Sequence, residues 1–291
     1  MSVSDEIKKL RAEIERHNQL YHADNSPEIS DDEYDALYQR LKTLEQQAGT
    51  SKNSPTRTVG AKPSRGFEKY RHLKPMLSLA NVFDNEDFEK FEERIQKRII
   101  NEEILYAIEP KFDGIGISLT YEDGTLTKAV TRGDGEVGEV VTENIRTIKK
   151  IPASLKYKVP KIIELRGEIF FNLNDFSDIN KKIESEGGKQ FVNPRNAAAG
   201  TLRNLDIALV KQRPLDIFVY ALGGHSDDLV LKSHKDFIDF LTKNHLPVSD
   251  QIKYGNKLVA EEAVKNILSL RDSLNYEIDG AVVKVNDIDM Q

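Results

Sequence analysis

Cysteine is absent from all 291 residues, which excludes disulfide staples and thiolate metal sites within the chain and fits a reducing compartment. No apolar run is long enough to span a bilayer, and no charged region leads into an apolar one at the start. Positive charge is in deficit: 42 Lys and Arg against 48 Asp and Glu give a net charge of -6 and a pI of about 5.7. A chain that wraps DNA as its main task carries a basic surface, so a strong grip on nucleic acid is not expected here. A local basic patch stays open. There is no internal repeat or low-complexity segment. The six histidines show no metal-ligand spacing, so no metal ligand is assigned. What is present suits a folded protein: 38% hydrophobic residues supply a core, and 31% charged residues a well-solvated surface.

A first helix is predicted over residues 4–22, with Ser4 as N-cap, Asp5 and Glu6 in the first turn, and Ile7, Leu10, Ile14 and Tyr21 as its apolar stripe. A second opens at Ser30, where Ser30 with Glu33 matches a capping box and Ile29 with Tyr34 a hydrophobic staple. Tyr34, Leu37, Tyr38, Leu41 and Leu44 form its stripe. The two predict a small helical hairpin. Residues 49–66, rich in Gly, Ser, Thr, Lys and Pro, read as a linker, dividing the chain into 1–66 and 67–291.

Beyond the linker, strands and helices mix without βαβ alternation. Asp84 caps a helix carrying Phe88, Phe91, Ile95 and Ile99; strands follow at 104–110, 115–121 and 125–131, with an Asp123-Gly124 turn. A helix near 139–148, a strand from Ile162 to Phe171 and a helix around 174–186 stopped by Gly187-Gly188 come next. A strand from Leu215 to Leu222, helices near 233–245 and 258–272, and a strand from Glu277 to Val285 complete the pattern. It predicts an α+β fold rather than a doubly wound sheet.

Within this frame, Glu109-Pro110-Lys111-Phe112-Asp113-Gly114 sets a lysine at the end of an apolar strand, on the same face as Glu109. Taken alone, the hexapeptide reads most simply as a strand-end lysine whose head reaches water. Lys284, between Val283 and Val285, is a second strand lysine, with Asp279-Gly280 shortly before it. If both point into one cleft, each raises the cost of protonating the other, as a nucleophilic lysine requires. Thr131-Arg132-Gly133-Asp134-Gly135 suits backbone approach to a polyanion, or an ordinary surface turn. The segment from Asn193 to Arg203 carries Arg195 and Arg203, suited to phosphate; the alternative is an Ala-rich helix with two surface arginines. Asp31 and Asp35, with Tyr34 and the Tyr21-His22 pair, form an acidic aromatic cluster suited to an aromatic cation, or a solvated capping face with core tyrosines.

Taken in order, these segments closely resemble the N-terminal part of bacterial NAD⁺-dependent DNA ligases, from about Leu20 to Asn286. The series is Tyr21-His22 with Asp31, Tyr34 and Asp35; Leu77-Ser78-Leu79-Ala80-Asn81; Glu109 to Gly114; Thr131 to Gly135; Leu165-Arg166-Gly167-Glu168; Asn193 to Arg203; and Glu277-Ile278-Asp279-Gly280 ending with Lys284. A lone Lys-x-Asp-Gly is shared with ATP-dependent ligases, RNA ligases and capping enzymes. The ordered series is what makes the resemblance specific.

The resemblance implies a mainly antiparallel-sheet nucleotidyltransferase domain, of the ATP-grasp-like DNA ligase and capping-enzyme type, preceded by a small all-helical domain that recognises nicotinamide mononucleotide (NMN). It implies that Lys111 attacks the α-phosphorus of NAD⁺, forms lysyl-AMP and releases NMN, with Mg²⁺ assisting. Glu109 maps to the adenine-contacting acid, Glu168 to the ribose-side acid, and Ser78 and Leu79 to contacts near the adenine nucleotide. Arg132, Arg195, Arg203 and Lys284 map to basic positions around the phosphates, and Asp113 and Asp279 to acidic catalytic positions. Tyr21, His22, Asp31, Tyr34 and Asp35 map to NMN recognition. A bacterial cytoplasmic monomer without membrane contact is expected.

Two departures stand out. Val140-Val141-Thr142 replaces the family's usual Asp-Val-Thr, a change expected to act locally. The family's next lysine motif, oligonucleotide-binding barrel, tetracysteine zinc site, helix-hairpin-helix region and C-terminal domain are not in the sequence, so a truncated chain is expected. Zinc is then expected only in the missing part. Binding of nicked duplex DNA should be weak, nick sealing is not expected, and self-adenylylation stands to be impaired. An ATP-using nucleotidyltransferase and a non-catalytic nucleotide-binding module are the alternatives.

Overall fold

The computed structural model describes residues 3–18, 20, 28–29, 31–48, 54–56, 66–82, 85–97 and 104–291. Helices α1 (Val3–Asn18) and α2 (Asp31–Ala48) pack through Ile7, Leu10, Ile14, Leu41 and Leu44, the stripes predicted from 3.6-residue periodicity. The Ser30 cap, Tyr21 and His22 lie outside the described residues. Glu45, buried on α2, accepts from Arg11 Nε at 2.7 Å, Ser54 Oγ at 2.5 Å and Thr56 Oγ1 at 2.6 Å. These donors satisfy the buried carboxylate and tie the described part of the linker to the hairpin.

The remainder is built on antiparallel strands with helices around them, an α+β arrangement. β1 (Lys69–Arg71) precedes α3 (Asn85–Gln96), whose Phe88, Phe91 and Ile95 pack under the next strand, as their spacing predicts. Asp84 and Ile99 lie outside the described residues. β2 (Tyr106–Phe112), β3 (Ile115–Glu122) and β4 (Thr125–Thr131) follow, then β5 (Val137–Glu139) and the short α4 (Thr142–Ile145). A helix over 139–148 is thus corrected to a single turn. Its first residue, Glu139, is drawn into the two-stranded pairing of β5 with β1, and Glu139 N–H donates to Thr131 Oγ1 at 3.0 Å.

β6 (Ile162–Phe170), α5 (Leu173–Ser185), α6 (Pro194–Leu202), α7 (Ile207–Gln212) and β7 (Asp216–His225) come next. α8 (His234–Lys243), β8 (Lys253–Gly255), α9 (Lys257–Ser269), a 3-10 turn at Arg271–Ser273 and β9 (Ile278–Val285) complete the described elements. One sheet runs β4-β3-β6-β7 and the other β8-β2-β9, every pair antiparallel. Ile163, Leu165 and Ile169 of β6 enter the larger core with Ile117, Leu119, Phe237 and Phe240, each burial contributing about 1.5–3 kcal/mol. The opposite face of β6 carries Glu164, Arg166 and Glu168, the alternation read from the sequence. Among the described residues no helix is long and apolar enough to cross a membrane.

The two sheets meet at the β2–β3 connection, where the chain leaves one at Phe112 and enters the other at Ile115. Gly114 makes this crossing possible, since a Cβ there would stand 2.3 Å from the Ile169 carbonyl oxygen and 2.9 Å from Glu168 Cγ. Gly114→Ala is therefore expected to destabilise the fold by about 1–2 kcal/mol through forced backbone movement. Urea unfolding would measure this, and an unchanged midpoint would contradict the close approach.

Candidate active site

The crossing opens a cleft of about 530 Å³ between the sheets, lined by both the helical hairpin and the strands. Lys111, at the end of β2, faces Gly280 of β9 across a register shift. Gly280 has φ +153 and no side chain, which leaves the lysine head room. The Lys111 ammonium pairs with Asp279 at 2.5 Å, and its side chain is 42% exposed, so it is a cleft lysine and not a buried one.

Lys284 makes a different pair. It projects from β9 onto Glu109, contacts Glu109 Oε1 closely, and donates to the Tyr220 carbonyl at 2.8 Å. Each lysine is thus paired with its own carboxylate, Lys111 with Asp279 and Lys284 with Glu109. Lys284 stands with Glu109 rather than with Lys111. Burial pushes the Glu109 carboxyl up, and Lys284 opposes that push.

Arg132, Arg195 and Arg203 also line the cleft. Arg132 is held by the Met76 carbonyl at 3.3 Å and Ser78 Oγ at 3.2 Å, which steadies the exposed Ser78–Leu79 segment at the mouth. Arg195 lies on α6 and Arg203 is its C-cap, so the Asn193–Arg203 segment is a helix with its caps, started by Asn193 accepting from Asn196 N at 2.7 Å, with Pro194 next. Its arginines are not surface residues. Arg195 Nη1 donates to Asp113 at 2.8 Å, while Arg203 is desolvated and feels the charge of Glu139. Desolvation lowers both Arg132 and Arg203 without discharging them. Asp113 does not line the cleft; it orients Arg195 from behind.

Glu168 accepts from the Tyr220 hydroxyl at 3.2 Å. Burial pushes its carboxyl up to about 7, opposed by Arg195 and by that hydrogen bond. A raised carboxyl holds its proton more tightly folded than unfolded. Its contribution to stability is therefore full below 4.5, falls as pH rises, and is lost above about 7. Glu168→Gln should accordingly gain stability relative to the parent between those two values. Denaturant unfolding across that window checks this, and a constant difference would contradict it.

From the hairpin, Tyr34 and Asp35 line the same cleft, with Tyr34 hydroxyl donating to Asn18 Oδ1 at 2.7 Å. The Asp31 side chain lies outside what is described. His17, Asn18 and Glu28 also line it, and sequence reading missed them, as it did Met76, Glu139, Arg166, Asn196 and Tyr220. Arg166 sits in the alternating β6 pattern but spends its guanidinium on the Lys74 carbonyl at 2.6 Å and on Glu164. Tyr220 lay hidden in an apolar strand, where a tyrosine reads as core. Among the described residues no group of three His, Asp or Glu side chains is placed to hold a metal ion.

A family model described as the NAD-dependent DNA ligase adenylation domain matches residues 64–291, and one described as the DNA ligase-like, N-terminal NAD⁺-binding domain matches residues 1–60. A DNA ligase of Thermodesulfovibrio yellowstonii is 44% identical over 295 residues, covering 99% of this chain and 44% of the relative. One of Dehalococcoides mccartyi is 42% identical over 289 residues, covering 98% and 43%. One of Nitrobacter hamburgensis is 44% identical over 295 residues, covering 98% and 41%. The chain thus spans about two fifths of the length of these curated relatives. A strand-end lysine facing a carboxylate, ringed by acids and arginines and overlooked by a helical hairpin, is what the matched span encodes: the chain belongs to the NAD-dependent DNA ligase family, by its adenylation domain and N-terminal NAD⁺-binding domain.

Proposed function

We propose that this chain performs the first chemical step of DNA nick sealing, transferring the adenylyl group of NAD⁺ to Lys111. The observation that carries the reading is the Lys111–Asp279 pair facing a cleft shared by both parts of the chain. In the step, the Lys111 nitrogen forms a bond to the α-phosphorus, and the bond from that phosphorus to the bridging oxygen of the diphosphate breaks. NMN leaves with the oxygen. The lysine must shed its proton, since only on the order of 0.1% is neutral near pH 7.4 at a reference pKa of ~10.4; Asp279, already in contact, is placed to receive it. Arg132, Arg195 and Arg203 offset the developing negative charge.

Glu109 and Lys284 form the base end of the cleft, with Ser78 and Leu79 beside the nucleotide, and Glu168 accepts from the ribose. Residues 1–66 serve as the NMN-recognition unit and linker, and 67–291 as the nucleotidyltransferase domain. Tyr34 and Asp35, with Asp31, Tyr21 and His22, would take the nicotinamide cation. Mg²⁺ fits as an ion carried on the diphosphate of NAD⁺, because Asp279 and Glu109 are already engaged by Lys111 and Lys284 and this ion favours phosphate oxygens and water. Bound there, it would neutralise phosphate charge. Nicked duplex DNA is the downstream partner, and a cytoplasmic monomer is the setting in which we place the chain.

The helical hairpin on the cleft favours NAD⁺ over ATP as adenylyl donor. Incubation with Mg²⁺ and either nucleotide, followed by intact-mass measurement, tests the assignment. Gain of one adenylyl group from NAD⁺ alone, by at least part of the sample, is expected. Gain from ATP would move the chain to the ATP-using class, and gain from neither would favour a binding module.

A further inference from the structure

Behind the base end of the cleft lies a polar chain that the mechanism above does not use. Glu109 and His234 are both buried, with Glu109 Oε2 facing His234 Nε2 at 3.7 Å. His234 Nδ1 lies 3.2 Å from the Tyr254 hydroxyl, and Nε2 lies 3.4 Å from the Tyr220 carbonyl oxygen. The sheet register explains the grouping. Tyr254 and Lys284 lie opposite Ala107 on either side of β2, and Glu109 follows two residues later on the same face. His234 enters as the first residue of α8. A capping box between Ser233 and Asp236, and a bond from His234 N–H to the Asn286 carbonyl at 2.6 Å, fix that helix start.

The surroundings assign the histidine tautomer. Burial and the neighbouring Lys284 cation push His234 down to about 4, so the ring is neutral and carries one N–H. Burial and the Glu109 charge push the Tyr254 hydroxyl up, so it stays protonated and donates to Nδ1. Nε2 then holds the ring proton and faces two acceptors, the Tyr220 carbonyl and Glu109 Oε2. The other tautomer would set a lone pair against both oxygens.

We propose that His234, oriented by Tyr254, is a positioning residue that holds Glu109 as an acceptor-only carboxylate, so that the cleft selects a purine with an amino group at the six-position over one with a carbonyl. This rests on reading Glu109 as the adenine contact. An ionised Oε2 accepts from an amino group but meets a carbonyl oxygen with no hydrogen between them, an arrangement that discriminates strongly. Burial favours the protonated carboxyl, which would donate to a carbonyl and erase the distinction; Lys284 opposes that change, and a His234 N–H facing Oε2 at 3.7 Å sides with the ionised form.

Calorimetric binding of AMP and of inosine monophosphate to the whole chain tests the proposal, with ¹⁵N spectra of the His234 ring. Preference for AMP and a protonated Nε2 are expected. His234→Leu should reduce the preference about tenfold, while His234→Gln, which returns an N–H near the Nε2 position, should stay within about threefold of the parent. Tyr254→Phe, which keeps the ring but frees its tautomer, should lose part of the preference and carries the test should His234→Leu fail to fold. An unchanged AMP-to-inosine ratio in folded His234→Leu or in Tyr254→Phe, or a parent ring protonated at Nδ1, would overturn the role of His234. Failure of the parent to bind AMP would instead remove the adenine-site reading beneath it.

Discussion

Lys111→Arg is expected to carry no adenylyl group after incubation with NAD⁺ and Mg²⁺ under conditions that modify the parent, and Lys111→Ala likewise. The arginine variant is the sharper probe. A guanidinium keeps the charge and can still pair with Asp279, but it is never deprotonated at accessible pH and so offers no nucleophilic lone pair. A loss in both variants isolates nucleophilicity from charge. Neither should disturb the fold, because the side chain is 42% exposed and surface changes cost within about 0.5 kcal/mol. Intact mass and a thermal melt on the same samples report the two properties. An adduct on Lys111→Ala would put the nucleophile elsewhere, with Lys284 the nearest candidate by residue type.

Lys111 drew notice as a cation at the end of an apolar strand, but alone it read as a lysine reaching water, and only the ordered series of segments singled it out. The helical stripes were legible on their own: Ile7, Leu10, Ile14, Leu41 and Leu44 obey their period and end in a common core. Three-residue strands such as β1, β5 and β8 are too short to show any period, so they escaped, and β5 took Glu139 from the expected helix. The pairing of charges escaped too. Sequence spacing sets Lys284 near Asp279 and Lys111 near Glu109, yet the antiparallel register exchanges these partners, joining Lys111 to Asp279 and Lys284 to Glu109. Nothing local distinguishes the two pairings. His234 shows the same limit: a lone histidine at a helix start has no ligand spacing, and only the fold brings it to Glu109.

Joint substitution of Tyr34→Ala and Asp35→Ala is expected to weaken NMN binding by about a hundredfold while leaving AMP binding within about threefold. Both side chains line the cleft from α2, whereas Glu109, Glu168 and Lys111 line it from strands. The nicotinamide ring is a pyridinium, so a carboxylate beside a tyrosine offers it charge and a π face together, about 2–3 kcal/mol in sum. AMP has no such cation and, on the proposed reading, is held by the strand residues. Isothermal titration with each ligand separates the two halves of the cleft. Equal losses for both would mean that α2 supports the pocket as a whole and does not read the nicotinamide end. A selective loss would make the hairpin the reason that NAD⁺, and not ATP, is the donor: the strands hold the adenylyl group that stays, and α2 holds the cation that leaves.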